Sequence, residues 1–360
     1  MRLCNPGLLA TLAAPKNGLT LNKVKFAVVG LGSIGKRHIA VLDAEPQAQL
    51  VAICDSDEAK CLELSALYGG LPWYTDYHQM LEEVKADVIN VVTPHALHRD
   101  MSISAVKKGF NVLVEKPMAL SIADCNAMNQ AARDAGVKLW VVKQNRHNVP
   151  VRLAKEAISA GRLGKIFMIK CDILWNRYQG YYDDSPWRGS LAQEGGALFT
   201  QASHFIDLLI WWCGDITSVK GHMETQNHNI ETEDSGCAIL KFSSGTIGSL
   251  VWTTCVYNKN YEGSITIIGE RGTIKIGGKY LNRIEYWDVE GFPLDEKIEY
   301  TDLPNAYGKY QGTSSNHDKV IAALVNEMRN GQGNMVEGFE GIKTIDAIEK
   351  IYSEIDRIKI

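Results

Sequence analysis

A chain of 360 residues, 45% of them hydrophobic, carries more apolar material than one core comfortably holds and enough for two domains of common size. Its 38 basic and 42 acidic residues are scattered to a net charge of -4, so no basic stripe offers itself to nucleic acid or an anionic membrane. No run approaches the ~18 apolar residues of a membrane span. The eight cysteines form no C-x-x-C pair and have no histidines at zinc-finger spacing, so buried free thiols in a reducing cytoplasm are expected, and no metal.

Residues 1-22 read as a loose N-terminal extension, because Pro6 and Gly7 break its start and its apolar stretch is short for a signal peptide. The run 24-VKFAVVG-30 then fits a strand buried on both faces of a parallel sheet. It leads into 30-GLGSIG-35, after which Ile34, Ile39 and Leu42 recur at helical intervals. Strand, glycine turn and helix is the context in which G-x-G-x-x-G signals a dinucleotide. Gly30 permits the turn, Gly32 lets the backbone approach a pyrophosphate, and Gly35 lets the helix pack close. Ser33 and Ile34 open a helix whose N-terminus faces the phosphates. The second strand, 50-LVAICD-55, ends in Asp55, 20 residues beyond Gly35, where this fold places the acid that takes the ribose hydroxyls. No arginine follows and Asp57 repels a 2′-phosphate, so NAD is the expected cofactor. The plainer reading of Asp55 is a cap for a helix at 57–69, a role Ser56 fills as well.

Helices at 76–86, 97–109 and 121–136 alternate with strands at 87–93, 111–115 and 138–142, a doubly wound α/β pattern. Ligands in such sheets sit beyond the carboxyl ends of the strands, which puts Thr93, Pro94, His98, Glu115 and Lys116 beside the cofactor. Residues 23–145 are thus expected to form an NAD-binding Rossmann domain. From 146 to 360 the pattern changes. A helix at 151–161 precedes apolar runs at 165–175, 236–242, 246–256, 263–269 and 272–278, separated by turn pairs. This predicts an α+β substrate-binding and oligomerisation domain with a large, mostly antiparallel, open-faced sheet.

The combination of 30-GLGSIGKRH-38, 93-TPHALH-98, 115-EKP-117 and 195-GGALFTQASHFIDLL-209 resembles the glucose-fructose oxidoreductase / inositol dehydrogenase / MocA (Gfo/Idh/MocA) family of nicotinamide-dependent sugar dehydrogenases. The resemblance runs from about residue 23 to the C-terminus. Within the family, 174-LWNRYQGYYDDSPWRGS-190, 262-EGSITIIGERGTIKIGG-278 and 312-GTSSNHDKVI-321 look most like the bacterial UDP-N-acetyl-2-amino-2-deoxyglucuronate dehydrogenases. These oxidise the 3-hydroxyl of a UDP-linked N-acetylamino sugar uronate in surface polysaccharide biosynthesis. The resemblance also implies a homodimer or homotetramer built on the open face of the sheet. One departure stands out: an acid or amide usually lies four residues before the motif histidine, and here that place is Thr200.

Oxidising a secondary alcohol requires a base in hydrogen-bond reach of the hydroxyl as hydride leaves the carbon. Lys116, desolvated near a positive ring, and His204, titrating near neutrality, are the chemically sensible pair. His204 is read as the base and Lys116 as the partner that orients the hydroxyl and shares its proton. Asp207, one turn on, is expected to fix the His204 ring or a substrate hydroxyl. A UDP-sugar acid is anionic at both diphosphate and carboxylate, so Arg146, Arg177 and Arg188, with Tyr181, Tyr182 and Thr200, are the substrate candidates. The plainer readings are that Lys116 pairs with Glu115, that His204 is a core histidine, that 176–189 is an ordinary surface loop, and that Asn316 and His317 merely start a helix. The competing functions are a dehydrogenase of a free sugar or inositol, and a non-catalytic dinucleotide-binding sensor. A sensor has no need of Lys116 or His204.

Overall fold

The computed structural model describes residues 22–295, 297–300, 304–306 and 311–357; all but the last residue of the expected N-terminal extension lies outside them. The first half runs β1 (Val24–Val29), α1 (Ser33–Ala44), β2 (Ala48–Cys54), α2 (Glu58–Leu67), β3 (Trp73–Tyr74), α3 (Tyr77–Glu83), β4 (Val88–Val91), α4 (His98–Lys107), β5 (Asn111–Val114), α5 (Ile122–Ala135) and β6 (Leu139–Val141). The six strands form one parallel sheet in the order β3-β2-β1-β4-β5-β6. The order reverses between β1 and β4, and a doubly wound sheet leaves its ligand crevice at such a switch. Local chemistry sets the ends of its helices. On α5, Ser121 accepts the Asp124 N–H at 3.1 Å and Gly136 closes the helix in the left-handed region at φ +67°.

The second half runs α6 (Val149–Ser159), β7 (Ile166–Leu174), α7 (Gln179–Asp183), α8 (Ser203–Cys213), β8 (Ile216–Glu224), β9 (Ser235–Phe242), β10 (Ile247–Thr253), β11 (Glu262–Gly269), β12 (Gly272–Gly277), β13 (Arg283–Val289), β14 (Pro304–Ala306), β15 (Gln311–Ser314), α9 (His317–Asn330), α10 (Gly338–Glu354) and β16 (Asp356–Arg357). Eight of these strands make the large sheet, in the order β13-β12-β11-β7-β10-β9-β8-β16. Only the β7–β10 and β8–β16 pairs are parallel. Period-two alternation sorts the sheet's faces. Ile169, Cys171, Leu250 and Trp252 are buried under α6, α8 and α10, while Met168, Ile239, Ile247 and Ile268 are exposed on the other face. Cys54, Cys61, Cys125, Cys171 and Cys213 are free and buried, but Cys237 is exposed because it shares the open face with Ile239. Among the described residues no helix is long and apolar enough to cross a membrane.

The boundary expected at 145/146 is crossed a second time. Val320, Ile321, Leu324 and Val325 of α9 pack with Phe26, Val28, Ile39 and Leu42 of the first domain, so α9 belongs physically to the Rossmann layer. Amphipathic spacing shows that such a helix has a buried stripe but not which sheet receives it. α10 then lies against both α5 and α8, and its Ile345 and Ile348 join a core continuous with both sheets.

Candidate active site

One cleft of about 760 Å³ opens along the carboxyl ends of β1, β2, β4 and β5 and is closed opposite by the segments around α7 and α8. On the cofactor side the glycines divide their tasks. Gly30 has φ +94°, and a Cβ there would sit 2.7 Å from the Val92 carbonyl oxygen; a Cβ on Gly35 would lie 1.9 Å from the Gly30 oxygen. Gly35 therefore seats α1 against the turn without lining the cleft. Gly32 has open space where its Cβ would be and faces the cleft with Ser33 and Ile34, which fits a pyrophosphate at the helix N-terminus. Asp55 lines the cleft beside it, accepting the Leu31 N–H at 2.7 Å and the Asp57 N–H at 3.0 Å. Neither Asp55 nor Ser56 caps the next helix. Asp57 does so, accepting from Ala59 and Lys60, so Asp55 remains turned to the cleft.

Thr93, Pro94, His98, Glu115 and Lys116 line the next stretch. The His98 ring spans two strand ends, with Nδ1 2.8 Å from the Pro117 carbonyl and Nε2 2.9 Å from that of Thr93. Lys116 does not pair with Glu115: its Nζ donates to the Thr200 carbonyl at 3.0 Å. That carbonyl is presented by a π-turn at Leu198–Ala202, a distortion that often marks functional sites. Thr200 lines the cleft, but its hydroxyl donates back to the Gly196 carbonyl at 2.7 Å. The cleft-facing amide in this turn is Gln201, which sequence spacing passed over by one residue. His204 follows on α8, buried, with Nε2 3.3 Å from Gln144 Nε2. Burial pushes the Lys116 ammonium below its ordinary pKa, reinforced by Arg177 and Lys143 and opposed by Glu115. Burial, with Lys116 adding to it, holds His204 well below the usual histidine range.

The far wall is aromatic and cationic. The Arg177 guanidinium is buried, donating to Gln201 Oε1 at 2.6 Å and to the Asn176 carbonyl at 2.6 Å, and lies 5.3 Å from the Tyr181 ring. Arg188 lies 4.2 Å over the same ring and donates to the Tyr181 carbonyl at 2.9 Å. Arg177, Tyr181 and Arg188 all line the cleft; Tyr182 does not, being turned to Thr254 and His228. The sequence reading missed His95 and Glu194, which join the two walls: His95 packs on Trp187 at 5.1 Å and its Nδ1 contacts the Glu194 carbonyl oxygen at 3.2 Å. Burial pushes the Glu194 carboxyl up to about 7.

Two expected substrate residues stand elsewhere. Arg146 and Asp207 do not line the cleft. They form a bidentate pair at 2.8 and 2.9 Å, joined by Lys143 at 3.1 Å from Asp207 and by Glu340 at 2.5 Å from Arg146. Asp207 turns from the His204 ring because three donors on its other side, Lys143, Arg146 and Thr344, satisfy a buried carboxylate better than one imidazole. Asn316 likewise serves structure, donating to Asn148 Oδ1 at 2.6 Å.

Residues 24–143 match the family model described as oxidoreductase family, NAD-binding Rossmann fold, and residues 151–275 match the GFO/IDH/MocA C-terminal domain. The chain is 36% identical to the WlbA dehydrogenase from Bordetella pertussis, solved in complex with NADH and UDP-GlcNAcA, with a TM-score of 0.83 over 92% of this chain and 96% of that one. It is 29% identical to the scyllo-inositol 2-dehydrogenase (NAD(+)) of Bacillus subtilis (strain 168), over 76% of this chain and 80% of that protein. It is 28% identical to the 1-carboxy-3-chloro-3,4-dihydroxycyclo hexa-1,5-diene dehydrogenase of Comamonas testosteroni, covering 69% of this chain and 63% of the relative's length. These matches place the chain in the Gfo/Idh/MocA family of NAD-binding oxidoreductases.

Proposed function

We propose that the enzyme oxidises the 3-hydroxyl of a UDP-linked N-acetylamino sugar uronate, as a step in making a surface polysaccharide. The observation that carries this reading is the continuity of one cleft from the glycine turn, past Lys116 and His204, to the wall of Arg177, Tyr181, Trp187 and Arg188. A free sugar does not need that second wall, whereas an anionic nucleotide sugar matches its guanidinium groups and rings. Likeness to a dehydrogenase solved with UDP-GlcNAcA supports the same reading.

When bound, NAD supplies the hydride acceptor. The protein's own part is to take the hydroxyl proton and hold the carbon in place. We assign the proton to Lys116 Nζ rather than to His204, reversing the expectation from sequence. An imidazole held well below its usual pKa binds a proton poorly, while a partly desolvated lysine is released toward its neutral amine and still binds one well. The neutral His204 orients the hydroxyl, its ring steadied by Gln144. Arg177 and Arg188, braced on Tyr181, receive the anionic end of the substrate. The exposed apolar face of the large sheet supports a homodimer or homotetramer, and the free buried cysteines suit the reducing cytoplasm.

The test is incubation of the purified protein with NAD and a panel of UDP-sugars, free sugars and inositol while nicotinamide absorbance is followed. Reduction with a UDP-amino-sugar uronate is expected. Reduction with inositol or glucose alone would defeat the substrate assignment, and no reduction with any of them would favour the sensor.

A further inference from the structure

His38 and His317 carry no role in the chemistry above, yet both are buried, to 1% exposure, against the carboxylate of Glu115, the residue before Lys116. They reach one point from distant parts of the chain: His38 lies on α1 and His317 is the first residue of α9. Asn90 Nδ2 on β4 donates to His38 Nδ1 at 3.1 Å, which leaves the hydrogen of a neutral ring on Nε2. That Nε2 donates to Glu115 Oε1 at 3.0 Å, and His317 Nε2 donates to the same oxygen at 3.1 Å. The other oxygen, Oε2, accepts the backbone N–H of Lys116 at 3.0 Å. A buried carboxylate supplied with three donors has no need of the lysine's ammonium, and Lys116 Nζ is left to the Thr200 carbonyl.

We infer that His38 and His317 are positioning residues for proton transfer: by fixing the Glu115 carboxylate they anchor the backbone at Lys116 and keep the acid off its amine. This rests on the proton-accepting role given to Lys116 above. The groups facing Lys116 come from every surrounding element. Glu115 and Glu194 are the acids, and Lys143, Arg177, His95, His98 and His204 are the bases. Glu115 is the foremost charge that favours the ammonium, so the direction in which its carboxylate is turned controls how readily Lys116 gives up its proton. With one imidazole removed, the buried carboxylate lacks a donor, and the strongest one beside it is the Lys116 ammonium.

The experiment compares His38→Leu and His317→Leu with His317→Gln, which keeps an N–H in place of the ring. In each leucine variant kcat is expected to fall on the order of 10- to 100-fold, with the NAD dissociation constant unchanged by fluorescence titration. The ascending limb of kcat against pH should move to higher pH by about one unit, the usual scale for pairing with an opposite charge. His317→Gln should return the limb to the wild-type position. An unmoved limb, a limb moved to lower pH, or a glutamine variant that behaves like leucine overturns the inference. Thermal melting identifies a variant that has not folded, and the remaining pair then decides. Lys116→Ala separates the two readings: if it retains turnover, the proton-transfer assignment itself fails, whereas if it is inactive and the limbs do not move, only the role of the histidines fails.

Discussion

Two buried acid–imidazole clusters stand on opposite sides of the cleft and put the same pair of groups to opposite use. Under the cofactor side, His38 and His317 donate to Glu115, one nitrogen from each ring, and burial holds His317 below its ordinary pKa. Behind the substrate wall, His228 donates from both nitrogens, Nδ1 to Asp234 at 3.0 Å and Nε2 to the Arg177 carbonyl at 2.7 Å. Burial opposes that charge, but the Asp234 carboxylate overrides it and pushes the histidine up to about 10. Asp234 also accepts the N–H groups of Gln226, Asn227 and His228. An acid at 3 Å is common to both clusters, so it does not by itself fix the ring's charge. What faces the second nitrogen matters: Asn90 donates into His38, whereas the Arg177 carbonyl accepts from His228. Each cluster gathers three groups of metal-ligand type within 4.8 Å, and hydrogen bonds already account for the approach of acid and imidazole in both.

The first cluster has a purpose only if the lysine beside it does chemistry. Lys116→Ala is therefore the largest expected effect, a loss of turnover on the order of 10³-fold, with NAD binding by fluorescence titration intact. A variant keeping more than roughly a tenth of wild-type turnover would leave that cluster an ordinary structural feature. The second cluster should answer in stability instead. Asp234→Ala leaves a buried imidazolium and three backbone donors without their acceptor, at a cost of about 3–5 kcal/mol in urea unfolding. A loss under about 1 kcal/mol would show a neutral His228 with an acid it does not need.

Sequence reading reached these regions unequally. The turn at Gly30, Gly32 and Gly35 was legible because each glycine answers a local backbone demand, and Asp55 because a strand end has a fixed address in this sheet. Lys116 could be placed for the same reason. Arg146 and Arg177 are both substrate candidates by charge, with aromatic neighbours favouring Arg177, yet only the structure shows that Arg146 is buried against Asp207 and Glu340 while Arg177 forms the cleft wall, a choice made by partners far along the chain. The π-turn leaves no pattern in the spacing before His204, so that spacing points to Thr200 where Gln201 offers the amide. The convergence of His38 and His317 on Glu115 depends on α9 returning to the first domain, which no local signal announces.

Arg177 links the second cluster to substrate, since the His228 ring holds its carbonyl while its guanidinium faces the cleft. Arg177→Lys keeps the charge but loses the planar fork to Gln201, Asn260 and the Asn176 carbonyl. The Michaelis constant for the sugar is expected to rise about tenfold with a smaller change in kcat. A fall in kcat alone would mean that this wall does not grip the substrate's anionic end.

The smallest expected effect tests the charge on His228 directly. Its folded pKa, about 10, lies above the ~6.5 of an unfolded histidine. Protonation therefore favours the folded state: the contribution is fully present below pH ~6.5 and is lost as pH rises through the folded value, at no more than ~1.4 kcal/mol per pH unit. Other titrating groups are the same in wild type and in His228→Gln, so the difference in melting temperature between the two proteins isolates the ring. That difference should be largest at pH 6, shrink through pH 8 and be smallest at pH 10. A gap that stays constant across the range would make His228 a neutral donor, and the Asp234 contact would then be an ordinary hydrogen bond rather than an ion pair.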